Sequence, residues 1–285
     1  MKDLSNENII HLKKGNTEYL QFRRLLEYPE LQHCYTLRHD GLNFKMYEED
    51  DSILKESYNK ISEAVGFDSE KIVKPHQTHT DKIENVTNAN QKFEEVDGVV
   101  TNQEGITLCT TSADCTALLF YDPVKKVIAD VHSGWRGTLQ KIGQKTVIKM
   151  IEEYNCQPED IICCICPCIK TCHFEVEEDV EKLFYDTFKY TNKIEKIIQK
   201  GRSIETSNVN VQKYQIDTTL INILLLEEIG LKEENIIDSG ICTVCNPKEF
   251  HSYRVDKENS GRNAAMIKLG SSPIPLFGDI GDRSV

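Results

Sequence analysis

The chain has 285 residues, and 34 Lys and Arg against 46 Asp and Glu leave a formal net charge of −12. A field of that sign repels polyanions, which excludes a nucleic-acid binder relying on a broad cationic surface; any phosphate it takes must be small and held locally. With 39% apolar and 28% charged residues, no uncharged apolar run near the ~18 residues of a membrane span and no apolar stretch in its first residues, the sequence predicts a globular cytoplasmic protein with no membrane partner. Eleven cysteines, an odd number in a large chain without an export signal, read as reduced thiols or metal ligands rather than a disulfide framework.

DSILKESYNKISEAVGF places Ile53, Leu54, Tyr58, Ile61, Ala64 and Val65 at helical spacing, with Gly66 positioned to end the helix. Between about 96 and 132 the texture changes to short β-branched runs, DGVVT, ITLCTT, CTALLFY and KVIADVH, broken by Asn102, Gly105, Asp114, Asp122 and Pro123. These are predicted buried strands. No helix separates each pair, so they cannot all be joined by right-handed parallel crossovers, and the sheets must be mixed.

TLQKIGQKTVIKMIEEY restores a helical stripe, IICCIC returns to strand, and EVEEDVEKLFYDTFKY is helical again through Val176, Val180, Leu183, Phe184 and Phe188. Residues 189–213 are polar and read as an exposed connection. DTTLINILLLEEIG is a helix capped by Asp217 and ended by Gly230, IIDSGICT rejoins the sheet, and 270–285 reads as a loosely held tail. The expected fold is a single α/β domain with mixed β-sheets flanked by helices.

Three segments carry residues of chemical interest. KPHQTHTDKI holds His76 and His79; TSADC sets Asp114 and Cys115 between two strands; ADVHSGWRG ends a strand at His132, turns on Gly134 and Gly137, and opens a helix. Taken separately, each has a plain structural reading: surface histidines, a thiol used as apolar filler, a glycine turn anchored by the single Trp, Trp135. The strand–turn–helix also suits a small anion at the helix start, with Arg136 adding charge. His79, Cys115 and His132 match no local zinc motif, so a metal held by them must be assembled from three loops. Two imidazoles and one thiolate are a zinc set that keeps a fourth position open, and the site would carry a net charge of +1.

KPHQTH, DGVVT with TTSADCTALLFYDP, VHSGWRG, CPCIKTCHFEV and CTVCNPKEFHSYR with SGR stand in the order seen in the YfiH-type family, also called laccase-domain or polyphenol-oxidase-like. The chain resembles that family over roughly residues 33 to 269, which implies a catalytic domain over 33–269 with residues 1–32 as an N-terminal segment ahead of it. The resemblance implies a purine nucleoside phosphorylase acting on adenosine, inosine and methylthioadenosine with inorganic phosphate, and deaminating adenosine. It also implies that His79, Cys115 and His132 are both catalytic residues and ligands of zinc, or of copper. Arg38, Asp114, Arg136 and Arg254 are the expected substrate contacts, and Asp114, Asp97 and Glu175 the candidate proton carriers. Cys166 replaces a usual Gly, and Val255 stands where the family has a second Arg.

The resemblance leaves two other readings: copper-dependent phenol oxidation, which the laccase name implies, and a metal-free hydrolase with Cys115 as nucleophile and His132 as base, for example a peptidoglycan-editing factor as some members are described. A blue multicopper centre rests largely on paired histidines, and the chain has eight His with no HxH. The remaining cysteines, Cys163, Cys164, Cys166, Cys168, Cys172, Cys242 and Cys245, read as core filler in preference to a second zinc or an iron–sulfur cluster. Along a strand the first four alternate between faces.

Overall fold

In the computed structural model, residues 2–46, 51–206 and 209–270 are described. The first six-stranded sheet begins with β1 (Ile9–Lys14), β2 (Thr17–Phe22) and β3 (Leu31–Thr36). Helix α1 (Ser52–Val65) follows, ended by Gly66 at φ 93°, where a residue with a Cβ would be strained. The chain continues through β4 (Ile72–Val73), β5 (Ile83–Asn85), β6 (Gly98–Thr101), β7 (Thr107–Ser112), β8 (Thr116–Asp122) and β9 (Val127–Ser133), then α2 (Trp135–Leu139) and α3 (Ile142–Tyr154). Next come β10 (Ile162–Ile165), β11 (Glu175–Val176), α4 (Glu178–Phe188), α5 (Ile194–Ile197), β12 (Ile198–Thr206), β13 (Val209–Ile216), α6 (Thr218–Glu228), β14 (Ile236–Asp238), α7 (Tyr253–Asp256) and β15 (Asn263–Leu269).

The first sheet runs β1-β2-β3-β15-β7-β4, the second β14-β10-β8-β9-β6-β5, and a small third β11-β13-β12. Both large sheets are mixed: β8 pairs antiparallel with β9 and β10, whereas β10 is parallel to β14 and β4 parallel to β7. Side chains alternate across each strand, so one sheet serves two layers. On β8, Ala117, Leu119 and Tyr121 pack against Leu108 and Ile267 of the first sheet. Its Leu118 and Phe120 face Ile142, Val147 and Met150 of α3 instead. On β15, Ala264 and Met266 meet Ile61, Ala64 and Val65 of α1. The result is a single α/β domain in which helices cover the outer faces of two stacked sheets. Strands covered on both faces need apolar residues at nearly every position, which is why CTALLFY reads as a continuous run.

The 189–213 connection is a correction. Those residues form α5 and most of a β12–β13 hairpin, registered from Ile198 opposite Ile216 to Thr206 opposite Val209. Its strands leave Gln199, Lys200, Arg202 and Ser203 exposed, so the apolar alternation that marks a strand is weak there. Strands β1 and β2, in the predicted N-terminal segment, extend the first sheet through β3. Residues 271–285 of the predicted tail lie outside the described residues.

Candidate functional site

The β8–β9 register sets Thr116 opposite Ser133 and Ala117 opposite His132. One strand pair therefore carries Cys115, just before β8, to the end of β9 where His132 stands. The third residue arrives on the loop between β4 and β5, where His79 adopts φ 64°. One donor atom from each of His79, Cys115 and His132 lies within 4.8 Å of the others. His79 Nε2 is 3.8 Å from Cys115 Sγ, and the two imidazoles meet edge to face with centroids 4.9 Å apart.

Asp97, fully buried just before β6, organises this cluster. Its Oδ1 accepts from His132 Nδ1 at 2.7 Å and from the His79 amide at 3.0 Å. Its Oδ2 accepts the Thr78 and Thr80 amides and the Thr80 hydroxyl. Burial works against ionisation, but the bond from His132 and those from Thr80 outweigh it and hold the carboxyl down at about 2. With Nδ1 engaged, His132 turns Nε2 toward the cluster, the arrangement by which a carboxylate orients a metal-ligating histidine. Burial raises the Cys115 thiol, yet hydrogen bonding and charge from His132, then from His79, bring it down to about 6. The donor types, their spacing and the thiolate character fit one transition-metal ion. Gly134 is required by space: a Cβ there would lie 2.7 Å from His79 Cδ2 and 3.3 Å from His132 Cε1.

The cluster opens into a cavity of about 600 Å³. Phe44, Trp135, Phe174 and Tyr253 supply aromatic walls, and Lys74, Arg254 and Arg262 supply cations. Arg254 is braced by the His173 carbonyl at 2.7 Å and the Glu175 carbonyl at 3.3 Å, and its amide donates to Asp114 Oδ2 at 2.7 Å. Burial lowers the Lys74 pKa, and nearby Arg262 lowers it further.

The other predicted contacts divide. Asp114 lines the cavity, but Thr243, Ser252 and the Arg254 amide occupy both its oxygens. Arg38 lies outside: it donates to the Pro247 and Phe250 carbonyls and pairs with Asp256 at 3.1 Å. Arg136 is a further correction. It is exposed, with its guanidinium carbon 4.0 Å from the Trp135 ring centroid, and α2 has only five residues, so the turn aims Trp135, not Arg136, into the cavity. Of the three candidate proton carriers only Asp114 borders the cavity, since Asp97 is buried behind the histidines and Glu175 is held by Arg202. His76 pairs with Glu94 at the rim. Lys74 and Arg262 were missed because, before folding, nothing separates them from other surface cations, although they stand inside the KPHQTH and SGR motifs.

The cysteines divide as well. Cys163 faces the α3 layer, Cys164 and Cys166 the layer between the sheets, and Cys168 is equally buried, so these four are core. Cys172 and Cys245 are not filler: both are exposed and, with buried Cys242, they converge on His173.

The profile of a family described as "Multi-copper polyphenol oxidoreductase laccase" matches residues 32–270. The chain is 31% identical over 224 residues to a mouse (Mus musculus) protein named purine nucleoside phosphorylase LACC1, covering 76% of this chain but 48% of that one, so it spans about half of that relative. It is 27% identical over 253 residues to the Bacillus subtilis protein named purine nucleoside phosphorylase YlmD, covering 82% and 87% of the two chains. The crystal structure of YlmD from Geobacillus stearothermophilus superposes with a TM-score of 0.79 at 24% identity, over 92% of this chain and 100% of that one, a likeness of fold.

Proposed function

The chain belongs to the multi-copper polyphenol oxidoreductase laccase family, and from that premise we propose that it is a purine nucleoside phosphorylase holding zinc at His79, Cys115 and His132. The observation that carries this reading is one cavity combining that ligand cluster with aromatic walls and the cationic side chains of Lys45, Lys74, Arg254 and Arg262. Aromatic faces suit a flat purine, and guanidinium and ammonium groups suit inorganic phosphate. The names of the relatives support the same chemistry. Against phenol oxidation by a multicopper centre stands the placement of the histidines: the two ligand clusters among the described residues contain two His and one His.

In phosphorolysis a phosphate oxygen bonds to C1′ of the ribose while the C1′–N9 bond breaks, and the base leaves with that electron pair and takes up a proton from water or phosphate. Arg254, fixed by two carbonyls, Arg262 and Lys74 hold the anion, and Trp135 and Phe174 hold the base against the wall. Asp97 fixes the His132 tautomer. Zinc, when bound, supplies Lewis-acid polarisation of an oxygen nucleophile beside the substrate. Deamination of adenosine in the same cavity replaces phosphate by water, which adds at C6 as ammonia departs; Asp114 is the cavity's carboxylate, and any proton transfer through it must share oxygens already bonded to Thr243, Ser252 and the Arg254 amide. Residues 33–269 are the catalytic unit in this reading, and the reaction is cytoplasmic.

The test is to incubate the purified chain with inosine, with and without phosphate, and to quantify free base and ribose 1-phosphate. Base and ribose 1-phosphate should appear only with phosphate. Equal base release without phosphate would make the protein a hydrolase and reject the reading.

A further inference from the structure

Cys172 and His173 lie between β10 and β11, and Cys242 and Cys245 in the turn that follows β14. The two segments are 69 to 73 residues apart, yet an isolated bridge between Cys168 and Cys242 draws them together, with the Cys168 amide donating to the Ile241 carbonyl and the Thr243 amide to the Cys168 carbonyl. Four ligand atoms then face one point. Cys172 Sγ is 3.7 Å from Cys242 Sγ and 3.8 Å from Cys245 Sγ. His173 Nδ1 is 3.2, 3.7 and 3.5 Å from the sulfurs of Cys172, Cys242 and Cys245.

These separations are those of a tetrahedron around one ion. With metal bonds of about 2.3 Å to sulfur and about 2.0–2.1 Å to nitrogen, tetrahedral donors stand about 3.8 Å apart for two sulfurs and about 3.5 Å for sulfur and nitrogen. A disulfide would need two of the sulfurs at about 2.05 Å. Core packing does not account for the cluster either, because Cys172 and Cys245 are exposed.

We propose that Cys172, His173, Cys242 and Cys245 form a second zinc site, closed by four protein ligands and structural rather than catalytic. It stands independently of the phosphorylase reading. A closed Cys₃His set leaves no position for substrate, so its role is to clamp the 170–174 loop to the turn after β14. That loop presents Phe174 to the cavity and the His173 carbonyl to Arg254. The clamp therefore sets one wall of the substrate cavity from outside it.

The 285-residue chain, purified without chelator, should carry two zinc ions by elemental analysis, and the Cys115→Ala and Cys172→Ser/Cys245→Ser variants one each. In the zinc-loaded wild type, Cys172, Cys242 and Cys245 should resist alkylation and become reactive once a chelator removes zinc, a readout that needs no variant to fold. Free alkylation of the three in loaded protein, iron in place of zinc, a Cys172 disulfide in peptide maps, or zinc lost by Cys115→Ala alone would each overturn the proposal. Failure of the phosphorylase reading would instead show in nucleoside turnover, with the second zinc still present.

Discussion

Five donors converge on the Asp97 carboxylate: three successive amides, one hydroxyl and the His132 imidazole. It acts through the histidines by fixing the ring of one and the backbone of the other. Asp97→Asn replaces an acceptor by an NH₂ that must face other donors, and zinc affinity at the His79–Cys115–His132 cluster should fall roughly 10–100-fold in chelator competition. Unchanged affinity would mean that the ligands orient without it. Arg136 and Arg254 give a paired comparison. Arg136→Ala removes an exposed stack on Trp135 and should leave inosine phosphorolysis within about twofold. Arg254→Ala removes a cation from the cavity wall, and at low phosphate the rate should drop roughly tenfold to a hundredfold, the equivalent of ~1.5–3 kcal/mol for a charge-assisted hydrogen bond. Matching losses in the two variants would return the phosphate role to Arg136.

At the scale of the element, the SGWRG turn matters for how closely it lets two rings approach. Gly134 has φ −62°, which any residue adopts, so its requirement is steric. In Gly134→Ala the new methyl meets the His79 ring at 2.7 Å, closer than real Cβ contacts, and the ring must shift. Because sub-ångström to ångström misplacement of reacting groups is costly, turnover should fall on the order of tenfold or more while the circular dichroism spectrum stays native. Full activity would show that His79 has slack. On the other side of the turn, Trp135 packs with Phe184, itself stacked on Phe188 of α4, so the small third sheet and α4 support the cavity wall from behind.

For the whole molecule, one buried group outside the cavity lining governs acid sensitivity. His33 in β3 is fully buried; its Nε2 accepts the Phe22 amide at 2.7 Å, and its Nδ1 has no hydrogen-bond partner among the described residues. Burial outweighs the other influences and lowers its pKa to about 3, so the native state holds it neutral. In the unfolded chain it titrates near 6.5, and between that pH and 3 the unfolded state binds the extra proton. Stability from His33 is thus complete above about pH 7 and declines as pH falls through 6.5 toward 3, by about 2 kcal/mol between pH 7 and 5. His33→Gln keeps an acceptor for the Phe22 amide without the titration. Urea unfolding of both proteins at pH 7 and 5 should show a smaller pH-dependent loss in the variant by that amount. Parallel losses would assign the acid sensitivity elsewhere.

Local pattern encodes several of the elements directly. Helical spacing ending at Gly66 marks α1, β-branched runs between turn residues mark β6 to β9, and Asp217, which accepts the Leu220 amide, marks the start of α6. The motifs also pointed to His79, Cys115 and His132, which the fold brings together. Only tertiary structure decided which way the flanking cations point. A five-residue helix can send Trp135 or Arg136 inward, and packing against Phe184 selects Trp135. Nor does the sequence order disclose that Cys172 and His173 meet Cys242 and Cys245, because their convergence depends on a bridge between Cys168 and Cys242, residues far apart in the chain. The β12–β13 hairpin escaped for the complementary reason: most of its residues are only partly buried or exposed, so little alternating pattern is written into them.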